Sequence, residues 1–186
     1  ELLLRRFSHG IYYDLCRETG FDKAFGFSFQ NYVGEILRAV FNQTCFTVFE
    51  EKEYEIAKGL RHHGADWILS GTDANLFIEC KTKRMKLVAK VSMGGTDLAG
   101  EIGIIADAVV QLYKNIQEAV AGKSNWIPNG LPNFPLVVTL EDWFIFGPLP
   151  QNLLLEAVTD RMCKAGIDLA MLETMPYAVA SSREFE

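Results

Sequence analysis

The stretch Gly64-Ala65-Asp66-Trp67-Ile68-Leu69-Ser70-Gly71-Thr72-Asp73-Ala74-Asn75-Leu76-Phe77-Ile78-Glu79-Cys80-Lys81 decides how this chain folds. Two runs rich in apolar residues, Asp66 to Ser70 and Asn75 to Thr82, flank Gly71-Thr72-Asp73-Ala74, whose residue types favour a turn. The stretch therefore predicts a β-hairpin. Strand side chains alternate, so Leu76, Ile78 and Cys80 share one face while Phe77, Glu79 and Lys81 share the other. Closure around Thr72 and Asp73, with Gly71 facing Ala74, pairs Leu69 with Leu76. The same register sets Asp66 opposite Glu79, where facing Cβ atoms lie about 4.5–5.5 Å apart.

Working outward, Leu3, Phe7, Ile11 and Leu15 recur at helical spacing, interrupted by Gly10, and residues 20–26 read as a loop. Ser28 is an expected helix cap, with Phe27 stapled on Tyr32. The helix that follows, from Phe29 to about Phe41, carries Tyr32, Val33, Ile36, Leu37 and Val40 on one face and Glu35 at its margin. Cys45 to Ile56 reads as one strand, and its acidic half, Glu50 to Glu55, is expected to point away from any polyanionic substrate. Gly94-Gly95 reads as a mobile connection leading to Thr96 as a cap. The helix from Asp97 to about Ala121 has Leu98, Ile102, Ile105, Val109, Leu112 and Ile116 as its stripe. Pro135 to Leu140 reads as a buried strand, Pro150 as preceding a helix that runs to Ala165 and is ended by Gly166, and Pro176 to Ser181 as a last strand. Trp67, Trp126 and Trp143 are expected to pack, and Asp73 to serve the turn.

With 186 residues, 49% hydrophobic and 23% charged, the chain suits one α/β domain, large enough to bury a core unaided. The reading is a single domain over 1–186, with an N-terminal helical extension over 1–26 and a core over 27–181. Starting at Glu1 without methionine, it is expected to be part of a longer chain. Cys16, Cys45, Cys80 and Cys163 form no C-x-x-C pair and read as reduced cysteines, which points to the cytoplasm. No apolar run approaches the roughly 20 residues of a membrane span. The net charge of −6 argues against holding nucleic acid by bulk electrostatics.

Two facing carboxylates repel unless a proton or cation sits between them. Hard oxygen ligands favour Mg²⁺ or Mn²⁺, and Lys81 beside Glu79 can offset charge on a phosphorane-like transition state. This chemistry suits phosphodiester hydrolysis. From Lys81 to Lys90 the chain has five basic residues and no acid, so Lys83, Arg84 and Lys86 are candidate phosphate contacts. His62 and His63 read as loop residues, with His63 an auxiliary candidate.

Asp66 followed by Glu79-Cys80-Lys81 resembles the motif of the PD-(D/E)XK nuclease superfamily, with Ala65 standing where proline is often found. Glu35 is similar to the acidic residue many members carry on the preceding helix. The resemblance covers roughly Phe27 to Ser181 and implies a restriction-endonuclease-like α-β-β-β-α-β core: a mixed sheet of four to five strands flanked by helices. It implies Mg²⁺- or Mn²⁺-dependent cleavage of nucleic acid, most often DNA, as a restriction, repair or phage-defence endonuclease. Glu35, Asp66, Glu79 and the Cys80 main-chain carbonyl would hold metal, and Lys81 would assist the nucleophile. Some members carry Q-x-x-x-Y on the next helix. Here Gln111, an auxiliary candidate, is followed by Tyr113, and Asn115 stands where that pattern has tyrosine. RNA or branched DNA as substrate, and a non-catalytic binding module, are the alternatives. Lacking a large basic surface, the domain is expected to act as a homodimer or beside a DNA-binding domain.

Overall fold

Gly71 donates its N–H to the carbonyl of Ala74 at 2.9 Å, and this bond closes the hairpin. It sets β4 (Trp67–Ser70) antiparallel to β5 (Asn75–Lys81), with Leu69 opposite Leu76 and Trp67 opposite Ile78. Glycine is needed at 71, because a Cβ there would lie 2.6 Å from the Phe46 ring. The structure is a computed structural model describing residues 11–50, 53–57, 59–86, 96–143 and 147–185.

Three further strands extend the hairpin into a five-stranded mixed sheet of order β1-β4-β5-β6-β7. β1 (Thr47–Glu50) is antiparallel to β4, while β6 (Asn133–Thr139) and β7 (Ala178–Ser181) continue parallel to β5. Parallel neighbours require a crossover. It is α3 (Thr96–Val120) between β5 and β6, and α4 (Pro148–Ala165) with the short α5 (Met171–Thr174) between β6 and β7. A terminal turn, α6 (Ser182–Phe185), follows.

Side-chain alternation sorts the core into two layers. On one face, Phe29, Val33 and Leu37 of α2 (Phe21–Phe41) bury against Trp67, Leu69, Ile78 and Val138. On the other, α3 and α4 cover Ile68, Phe77 and Val137. The whole expected stripe of α3, Leu98 to Ile116, is buried. The three tryptophans pack inside as anticipated, and Gly166 ends α4 in the left-handed region with φ 68°. No helix among the described residues is long and apolar enough to cross a membrane.

Several expectations need correction. The helix before the sheet begins at Phe21, because Gly20 turns the chain with φ 84°. Phe21 and Phe25 then stack on each other and meet Tyr12 of α1 (Ile11–Leu15). Ser28 is thus mid-helix, its hydroxyl donating to the Ala24 carbonyl at 2.9 Å, and the division at 26/27 falls inside α2. Phe27 is 55% exposed, not stapled inward. The expected strand over 45–56 is two elements: β1, then β2 (Tyr54–Ala57), which pairs with β3 (Leu60–His62) in a separate two-stranded sheet. Gly59, with φ 82°, makes the turn between them. Thr96 is the first residue of α3. The proposed helix before Gly10, Lys90 and the Gly94-Gly95 connection lie outside the described residues.

Gly34 is where α2 approaches the sheet most closely: an added Cβ would sit 2.5 Å from Cη2 of Trp67 and 2.7 Å from Cε2. Alanine in place of glycine normally favours a helix interior by about 1 kcal/mol. Here overpacking, typically about 1–3 kcal/mol, opposes that gain. Gly34→Ala is therefore expected to lower stability in urea denaturation, and a gain would show that α2 can shift off Trp67.

Candidate active site

Asp66 immediately precedes β4, and Glu79 and Lys81 lie at the C-terminal end of β5. Extending the Trp67–Ile78 pair by one step puts Asp66 opposite Glu79, as the sequence predicts. One Asp66 oxygen accepts the Cys80 N–H at 2.7 Å, tying the aspartate to the facing strand. Lys81 Nζ lies 2.7 Å from Glu79 Oε1, an ion pair in which the glutamate side chain is only 13% exposed. Trp67, Ile68 and Leu69 after Asp66, and Phe77 and Ile78 before Glu79, are buried, so the polar groups are held on a rigid base.

Burial, followed by the charge of Glu79, pushes the Asp66 carboxyl up to about 7, although the Cys80 N–H and the Lys81 ammonium pull the other way. For Lys81, burial favours the neutral amine, but Glu79 and then Asp66 outweigh it, and the ammonium is held above its ordinary value. The Cys80 thiol is pushed far up by burial and by the two carboxylates, so it stays a thiol. The arrangement is thus a fixed cation beside two crowded carboxylates, one of which keeps its proton to near-neutral pH.

Asp66 and Glu79 open onto a cleft of about 650 Å³. Its walls are Phe27, Gln30 and Asn31 of α2, and Arg61, His62 and His63 of the small hairpin, with Gln111 of α3 at one side. The hairpin hangs on α3 through one carboxylate: Tyr54 Oη donates to Glu118 Oε2 at 2.6 Å, and His62 Nδ1 lies 3.2 Å from Glu118 Oε1. His63, the expected auxiliary, is mostly exposed and pairs with Glu53 at 3.3 Å. His62 is the oriented histidine. A sequence signal for it existed in Gly59, a turn residue ahead of Leu60-Arg61-His62.

Glu35 is not brought to the pair. It is exposed on α2 and does not line the cleft, which Phe27, Gln30 and Asn31 reach instead. Among the described residues no three His, Cys, Asp or Glu side chains form a metal-holding group. Arg38, one turn further along α2, bonds Glu50 at 3.5 Å and stacks over Trp67. Glu50 itself lines the cleft, so the acidic segment does not turn wholly away. The expected phosphate contacts stand outside the cleft: Lys83 is exposed, the Arg84 guanidinium lies 4.2 Å above the Tyr12 ring, and Lys86 reaches Glu101 at 3.5 Å. Gln111 does reach the cleft, its amide donating to Asn115 at 2.9 Å.

The chain matches no family model, no curated protein and no solved structure.

Asp66 holds its proton in the folded chain to about pH 7, but near 3.8 when unfolded. A group shifted upward contributes stability that is complete below its unfolded value and is lost as pH rises through its folded one. Denaturation of the metal-free protein between about pH 4 and pH 8 should therefore show stability falling as pH rises. Asp66→Asn should remove that component of the slope; parallel curves for the two proteins would contradict the assignment.

Proposed function

We propose that this chain is a metal-dependent nuclease that hydrolyses phosphodiester bonds, with DNA as its substrate. The observation that carries the reading is the facing pair Asp66 and Glu79, with Lys81 ion-paired to Glu79, at the floor of an open cleft. The order of main-sheet elements, helix, three strands, helix, strand, supports a restriction-endonuclease-like core.

The donors suit a hard divalent cation. Two carboxylates are the complement Mg²⁺ usually takes from a protein, the rest of its shell being water and substrate oxygens. Positive charge between them would also relieve the repulsion that helps raise Asp66. Bound there, Mg²⁺ supplies Lewis acidity toward the phosphoryl group. Asp66 and Glu79 would hold the cation, with the Cys80 carbonyl as a further hard oxygen donor. The Lys81 ammonium, kept protonated by its neighbours, faces the charge that builds on the phosphoryl oxygens as the bond to the leaving group stretches. Glu35 has no part in this reading.

Glu79→Gln and Lys81→Ala are each expected to lower Mg²⁺-dependent cleavage of plasmid or oligonucleotide DNA by about 10²-fold or more, the usual loss when a preorganised electrostatic group is removed. Circular dichroism should show the fold intact. If both folded variants cut as well as the parent, the assignment is wrong.

A further inference from the structure

A second depression, of about 400 Å³, lies between α3 and α4 and is lined by Asp107, Gln111, Lys114, Arg161 and Lys164 among others. Gln111 lines both this groove and the cleft above Asp66 and Glu79, so the two adjoin across a single neutral amide. We infer that a nucleic-acid strand bound at Asp66 and Glu79 continues over Gln111 into this groove, where Lys114, Arg161 and Lys164 contact its phosphates. This deepens the nuclease reading and rests on it.

The charge distribution favours that path. The cleft sets Asp66, Glu79 and Glu50 against Arg61 as its one lining Lys or Arg, so much of the attraction for a polyanion must come from beyond it. Lys83, Arg84 and Lys86 line neither depression. The groove sets three cations against one lining acid, Asp107. Arg161 is held in place: its Nε bonds Asp107 at 2.5 Å and its Nη1 donates to the Ala157 carbonyl at 3.1 Å. Its Nη2 lies only 2.8 Å from where a side chain at Gly103 would begin, so glycine there leaves it room. Lys164 pairs with Asp160 at 2.6 Å in a solvent-exposed i,i+4 bridge, and such a pair exchanges readily for phosphate. Lys114 stands exposed at the groove.

The test is fluorescence anisotropy of a labelled single-stranded DNA oligonucleotide across a salt series in EDTA, with RNA of the same sequence and duplex DNA as further arms. The proteins are the parent, the Lys114→Gln/Lys164→Gln double variant, and Lys123→Gln as an exposed control away from the groove. Removing two phosphate contacts should reduce the slope of log K against log salt by about 1.4 for a single strand. Between about 50 and 200 mM salt the parent should then lose about sevenfold more affinity than the double variant. Lys123→Gln should follow the parent. An unchanged slope in the double variant overturns the path, and so does a parent that binds none of the three nucleic acids. Cleavage in Mg²⁺ separates the readings: a double variant with the parent's slope and metal-dependent cleavage removes the groove alone. A reduced slope without any cleavage by the parent keeps the groove and removes the hydrolytic reading.

Discussion

The register of one hairpin governs everything else in this molecule. With the Gly71 N–H on the Ala74 carbonyl, Trp67 turns toward α2 and Asp66 turns away from it. A slip of one residue would exchange the faces of every side chain on the strand. Trp67 would leave its place under Gly34, and a carboxylate would enter the layer between Leu37 and Ile78. The apolar packing on both faces of β4 and β5 excludes that alternative, so the stabilisation of the core and the alignment of the acidic pair have one cause. Phe46, packed against Gly71, guards the turn itself.

That alignment keeps like charges together, at a cost the fold meets locally. Asp66 gives one oxygen to a backbone N–H, and Glu79 leans on Lys81. These two contacts hold the pair without separating it, and burial, joined by the remaining repulsion from Glu79, keeps the Asp66 carboxyl raised. The overall charge of −6 therefore conceals an uneven surface. Acids concentrate at the cleft floor and on the β1 side, while cations collect between α3 and α4, and Arg61 stands alone on the cleft side of the small hairpin. Net charge is a poor guide to affinity when opposite signs occupy different places.

The parts of the fold that local rules govern were legible in the residues. Alternation and turn chemistry specified the hairpin, and 3.6-residue periodicity specified α3 with its buried stripe. The start of α2 was not legible, because Ser28 obeys the capping rule locally but Phe21 and Phe25 find Tyr12 and extend the helix past it. Cys45 to Ile56 reads as one strand because β-branched and aromatic residues stand at both of its ends, while the Glu and Lys residues between them, weak strand formers, were the only local sign that it divides between two sheets. At the site, Asp66, Glu79 and Lys81 were found because they lie on adjacent strands whose register could be deduced. Glu35 was misplaced relative to the cleft because a helix margin specifies a direction only once the tilt of the helix is known. His62 and Glu118 are 56 residues apart, and Gln111 and Arg161 belong to different helices; such meetings come from tertiary packing alone.

The cleft has a floor and a wall of different construction. The floor belongs to a continuous hydrogen-bonded ladder buried on both faces. One wall is a two-stranded ribbon outside that ladder, hung on α3 through Tyr54, His62 and a single glutamate. Because the ribbon shares no ladder with the floor, changes in its length or charge need not disturb the floor's register, and the two are free to diverge separately. A lineage descended from this fold would be expected to hold Asp66 and Glu79 in place while its ribbon, and the ligands admitted past it, drifted.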